Sequence, residues 1–245
     1  MNPFSRSLKT AALFLIFLGG VLGVLVFCYL PPAAGFQDES AARIVVLHVP
    51  MAWLASLSFI ISAVYAGRYL RRRLLTDDDA SAASAEIGLL CCALATATGS
   101  IFARSQWGSW WNWDPRETSI FFLLLIYGAY FSLRGSVDDP VRRAVFSAVY
   151  ALLAAIVMPF LIFVMPRIMY SLHPKEAHLA APYWLVLLGA FIGFAIFLTW
   201  TFRIRCGIGR SRLKEYADDS DDGSVLSPTL IQRAERNANL QGEVN

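Results

Sequence analysis

The chain has 245 residues, 57% hydrophobic and 16% charged, with a mean hydropathy of +0.53, where an ordinary soluble domain is about a quarter charged. These proportions exclude a soluble globular domain and a globally disordered chain, and four cysteines are too dilute for a disulfide scaffold. The net charge of +3 comes from arginines in short clusters between apolar runs, which argues against a nucleic-acid partner and for the lipid bilayer.

Six stretches lack Asp, Glu, Lys and Arg and approach the roughly 20 helical residues needed to cross a hydrocarbon core: 11–30, 44–66, 87–103, 118–133, 144–166 and 183–202. The third and fourth are short, but each adjoins an aromatic-rich loop that can lie in the membrane interface. Continuous apolar runs without strict alternation predict helices rather than a barrel. The expected fold class is therefore all-α, a polytopic bundle of six transmembrane helices. The first run is longer than the core of a cleaved signal peptide and is read as a retained span.

Orientation follows from the basic residues, which are kept on the cytoplasmic side near span ends. Fourteen fall in one set of segments: Arg6 and Lys9; Arg68, Arg71, Arg72 and Arg73; Arg134, Arg142 and Arg143; Arg203, Arg205, Arg210, Arg212 and Lys214. Only Arg43, Arg104, Arg116, Arg167 and Lys175 fall in the other. Both termini are thus expected in the cytoplasm, with 31–43, 104–117 and 167–182 facing outward. Residues 1–214 read as the six-span membrane domain. Residues 215–245, polar and acidic without apolar periodicity, read as a disordered cytoplasmic tail.

The unusual residues collect on the outward side. His48 precedes the bulk of span two, and His173 and His178 lie in the last outward loop. A lone interfacial histidine is more often an ordinary amphipathic residue than a ligand, but here every histidine of the chain faces the same way. The loop at about 104–117 holds Trp107, Trp110, Trp111 and Trp113. An aromatic belt needs only scattered rings; indoles at this density suit the floor of a site for a large planar apolar ligand. Asp114-Pro115-Arg116-Glu117 reads as a helix start, with a capping carboxylate, proline at the first helical position and glutamate three residues after the cap. Pro50 and Pro182 suit the first turns of spans two and six. Cys28, Cys91, Cys92 and Cys206 form no Cys-x-x-Cys pair and are read as small buried apolar residues. The chain carries no phosphate-binding glycine loop, zincin or hydrolase motif.

The run WGSWWNWDPRETS at 107–119, with LHVPMAW at 47–53 and SLHP at 171–174, resembles the CcmC family of haem-handling proteins of cytochrome c maturation. The resemblance covers roughly residues 10–205. It implies that haem b is held by the outward tryptophan-rich loop, with His48 and His173 as axial ligands and Trp107, Trp110, Trp111, Trp113 and Asp114 in contact with it; for the haem propionates the outer face offers Arg43, Arg104, Arg116, Arg167 and Lys175 as candidate partners, Arg116 lying in that loop. It also implies ABC-transporter subunits and a CcmE-like haem chaperone as partners, and a bacterial inner membrane with the haem site on the periplasmic face. The family usually carries Leu-His-Gln where this chain has Leu-His-Pro, which leaves His178 open as the second ligand. The ending WDPRET also resembles CcsA-type cytochrome c synthase subunits, the enzymatic alternative, although those are generally longer. A cytochrome b-like electron carrier is the remaining alternative. On this reading the protein is not an enzyme: it presents haem.

Overall fold

A computed structural model describes residues 3–33, 36–173 and 179–220. Among these there are helices and no strands. Helix α1 spans Pro3–Val24 and continues as a π turn, Leu25–Tyr29, which ends before Pro31. A 3-10 turn, Ala41–Ile44, leads into α2, Val45–Arg72; then come α3, Leu75–Trp107, and α4, Pro115–Ser136. Helix α5, Pro140–Pro159, passes through a π turn, Phe160–Val164, into the short α6, Met165–Ile168, and α7 runs Ala181–Ser220. Five helical stretches are long and apolar enough to cross a membrane: Ala41–Arg72, Leu75–Trp107, Pro115–Ser136, Pro140–Ile168 and Ala181–Leu213. The apolar part of α1, Ala12–Val24, is shorter. The chain is a multi-pass membrane protein, and many large apolar side chains point outward, among them Ile16, Leu153, Ile156 and Leu185, as lipid contact requires.

Helices α2 and α3 form the most extensive pair, because small residues let their backbones approach. Ala82, Ala83, Ala85 and Gly88 of α3 are buried, and a Cβ on Gly88 would stand 2.5 Å from the Phe59 ring. Polar atoms in this seam are satisfied across it. Ser81 Oγ donates to the Ser62 carbonyl at 2.9 Å and Ser84 Oγ to the Ser58 carbonyl at 2.8 Å. Phe59 then stacks on Tyr127 of α4, with ring centroids 3.6 Å apart. Helix α1 lies against α7, where Phe14 stacks on Phe197 at 6.4 Å. The Tyr183 hydroxyl ties the start of α7 to the Pro31 carbonyl at 2.7 Å.

Several boundaries differ from expectation for identifiable reasons. Helix α3 begins at Leu75, so Asp77, Asp78, Asp79 and Glu86 lie inside it rather than in a loop before residue 87. Their charge is tolerated because each of the three aspartates meets an arginine from a different helix. Asp77 pairs with Arg68 of α2 at 3.2 Å, Asp78 with Arg134 of α4 at 2.7 Å and Asp79 with Arg205 of α7 at 3.1 Å. Acidic groups also suit the positive end of the helix dipole at the α3 N-terminus. Pro50 sits within α2 rather than in its first turn, since the helical path begins at Ala41, whereas Pro182 does open α7. The π turn after Pro159 has its counterpart in Pro166, which lacks an N–H and crowds the carbonyl four residues back. Helix α7 extends past Lys214 to Ser220; residues 221–245 lie outside the described residues. Of the cysteines, Cys91 and Cys92 are buried while Cys28 is exposed.

The arginine-aspartate pairs gather the end of α2, the start of α3, the end of α4 and the later part of α7 at one end of the bundle. The start of α2, the end of α3, the start of α4 and the turn after α5 therefore meet at the other.

Candidate functional site

That second end encloses a cavity of about 300 Å³, at the small end of the range for ligand sites. Its lining is mostly apolar and aromatic: Val45, Ala52, Phe102, Trp107, Trp111, Ile120 and Ile162. Into it come His48, His173, Arg116 and Glu117, so both expected histidines line one space.

The loop geometry is set at the start of α4. Asp114 caps the helix by accepting from the Arg116 N–H at 2.9 Å, and Glu117 completes the capping box, its Oε2 accepting from the Asp114 N–H at 3.4 Å and the Asn112 N–H at 2.7 Å. Gly108 (φ 76°) and Trp113 (φ 56°) take left-handed backbone on either side of Trp110 and Trp111, and the Arg104 guanidinium donates to the Gly108 carbonyl. These reversals split the cluster. Trp107 and Trp111 line the cavity, while Trp110 and Trp113 are 59% and 69% exposed. Trp113 packs edge-on against Trp111 and Phe121.

Asp114 does more than cap. Its Oδ2 accepts from the Leu172 N–H at 2.6 Å and the Ser171 hydroxyl at 2.8 Å, and its Oδ1 lies 3.1 Å from His173 Nδ1. The helix cap is thereby also the anchor of the His173 loop. Burial alone would raise this carboxyl, but the Arg116 and Leu172 N–H groups, the Ser171 hydroxyl and the neighbouring His173 outweigh it and hold the group below its usual range. Burial pushes His173 down to about 4 against the pull of Asp114, with Arg116 adding to the depression. At neutral pH this imidazole is uncharged.

The hydrogen bonds also fix both tautomers. His173 Nδ1 faces a carboxylate and therefore carries the proton. His48 Nδ1 faces the Ala95 carbonyl at 3.0 Å and the Thr98 hydroxyl at 3.2 Å; the hydroxyl donates to the Leu94 carbonyl at 2.7 Å and can accept from the ring. Each Nε2 is left with its lone pair free. Two neutral imidazoles in an aromatic cavity suit a planar metallotetrapyrrole, whose ring fills the equatorial positions of its iron and leaves the axial ones. Among the described residues no three His, Cys, Asp or Glu side chains gather as a cage for a bare ion.

Of the basic residues expected to face outward, Arg116 lines the cavity. Arg167 donates to the Phe163 carbonyl at 2.5 Å, and Arg43 Nε is buried without a partner. His178 and Lys175 lie outside the described residues. Thr98, Ala95 and Gly99 were not foreseen as site residues. A threonine and a glycine in an apolar run, five and four residues before the expected span end at 103, carry no signal of their own until the partner ring is located.

The fold and cavity define a membrane helix bundle with paired imidazoles at one end. A family model described as "CcmC: Heme exporter protein C" matches residues 2–215, and the chain belongs to that family. Similar proteins include "Heme exporter protein C" of Rhodobacter capsulatus, 30% identical over 197 residues, covering 77% of this chain and 81% of that protein. Those of Bradyrhizobium diazoefficiens and Paracoccus denitrificans are 39% and 33% identical over 129 and 132 residues, covering 52% and 54% of this chain. The matches span 49% and 54% of those two proteins, about half their length.

Proposed function

We propose that the protein holds haem b at the periplasmic face of a bacterial inner membrane and passes it to a CcmE-like chaperone during cytochrome c maturation, as part of an ABC-type complex. His48 and His173 supply the axial ligands. Trp107 and Trp111 cover the ring, and Arg116 meets a propionate through a charge-assisted hydrogen bond. Trp110, Trp113 and Asp114 complete the loop around the cargo, Asp114 through His173.

The observation that carries this reading is the convergence of two neutral imidazoles, each with Nε2 free, on one aromatic cavity. Membership of the heme exporter protein C family supports it. The distribution of basic residues supports the outward assignment of that end. A site at the loop end of the bundle favours hand-over, because a partner can reach it.

The test is transfer. Haem bound to the purified full-length protein should move to the purified chaperone, faster when the transporter complex and ATP are present. Haem that stays through repeated cycles while showing reversible redox titration would favour a permanent electron carrier. Attachment of haem to an apocytochrome without the chaperone would favour the synthase reading.

A further inference from the structure

We infer that the two imidazoles are unequal ligands: His173 is the strong ligand that keeps its bond to the cargo iron, and His48 is the one exchanged first when a partner takes the cargo. This rests on the haem reading above and deepens it.

The inequality lies in what each Nδ1–H meets. His173 donates to a carboxylate at 3.1 Å, whose side chain is fully buried. A charged acceptor draws the Nδ1 proton toward itself, makes the ring more imidazolate-like and strengthens the bond formed by Nε2. His48 donates to the Ala95 carbonyl and the Thr98 hydroxyl, both neutral, so its ring gains less basicity.

Position alone would suggest the opposite order, since His48 lies on α2 and His173 in a loop. The loop, however, is tied down. Ser171, Leu172 and His173 all donate to the one Asp114 carboxylate, and the His173 N–H donates to Ser171 Oγ at 3.2 Å. With Asp114 itself locked as the α4 cap, His173 is held by the start of a helix.

Exchange on the His48 side is a simple substitution. The iron–Nε2 bond of His48 breaks with the electron pair staying on nitrogen, and a lone pair of the incoming donor forms the new bond. The Nδ1 proton stays on His48 and the iron keeps its oxidation state.

The test is the iron–imidazole stretching vibration in ferrous, haem-loaded, full-length protein, read by resonance Raman. His48→Ala reports the His173 bond and His173→Ala the His48 bond. The first should have the higher frequency, and Asp114→Asn in the His48→Ala background should lower it while weakening haem affinity by about 10- to 100-fold. Carbon monoxide bound to the unmodified protein and photolysed should leave the His48→Ala frequency. That comparison, repeated with Asp114→Asn, also serves if His173→Ala holds no haem. Equal frequencies, a higher value for the His48 bond, or no response to Asp114→Asn would overturn the inequality. If neither histidine substitution alters the haem spectrum at all, the haem reading fails, and this inference with it.

Discussion

Gly99 and His48 approach so closely that a methyl group on Gly99 would stand 3.0 Å from His48 Cε1 and 3.4 Å from Nδ1. Helix α3 therefore serves as the backstop of the His48 ring as well as the acceptor of its Nδ1 proton. Gly99→Ala should tilt the ring and alter the spectrum of bound haem, and Gly128→Ala, with open space around it, should not. Absorption spectra of both purified variants check this.

Removing the cap should cost both stability and ligand. Asp114→Ala loses a helix cap worth about 0.5–2 kcal/mol and leaves the Leu172 N–H and the His173 ring without their acceptor. Haem affinity should fall by about 10- to 100-fold. Haem titration of the detergent-purified variant, alongside its thermal unfolding, separates the two effects.

The tryptophans should not behave alike. If roughly 50–100 Å² of a cavity-facing indole covers the cargo, at about 25 cal/mol per Å², each contributes about 1–2.5 kcal/mol. Trp107→Ala and Trp111→Ala should then weaken haem binding by about tenfold or more. Trp110→Ala and Trp113→Ala, on exposed rings, should have smaller direct effects. Haem titrations of the four variants decide it, and equal losses would contradict the division of the loop.

Much of this was legible in the sequence. The Asp-Pro-Arg-Glu pattern carries the α4 cap because capping is local, decided within three residues. The bond from the same carboxylate to His173 spans 59 residues, and nothing in one sequence announces such a pairing. The aspartates at 77–79 read as a loop because charge breaks an apolar window; their arginine partners lie on three other helices, which hydropathy does not weigh. Four tryptophans within seven positions predict a site but not which rings face it, since that depends on the left-handed turns at Gly108 and Trp113.

The aspartate-arginine end gives a stability prediction independent of any ligand. Arg134 holds Asp78 through two hydrogen bonds, at 2.7 and 2.9 Å, with both side chains largely buried. Arg134→Ala strands a buried carboxylate and should destabilise the bundle by about 3–5 kcal/mol. Arg68→Ala also strands a buried carboxylate, Asp77, but removes one contact at 3.2 Å from an arginine side chain that is 39% exposed, and should cost less. Unfolding in mixed detergent measures both.

The haem-free protein should lose stability in acid in a defined window. His173 has its pKa lowered from the ordinary 6.5 to about 4, so the unfolded chain binds a proton that the folded chain resists. Stability is full above about pH 6.5 and falls as the pH drops from there toward 4. Asp114, held below its ordinary range, adds a further loss at lower pH. His173→Gln should flatten the upper part of this dependence in thermal unfolding measured across that range.

The central claim, that His48 and His173 ligate one haem iron, is tested most directly by electron paramagnetic resonance of the ferric haem-loaded protein. The account predicts a low-spin bis-imidazole signal in the unmodified protein, a shift toward high spin on His48→Ala and on His173→Ala, and a return to low spin when imidazole is added to either variant. An unchanged low-spin signal in both variants would contradict it.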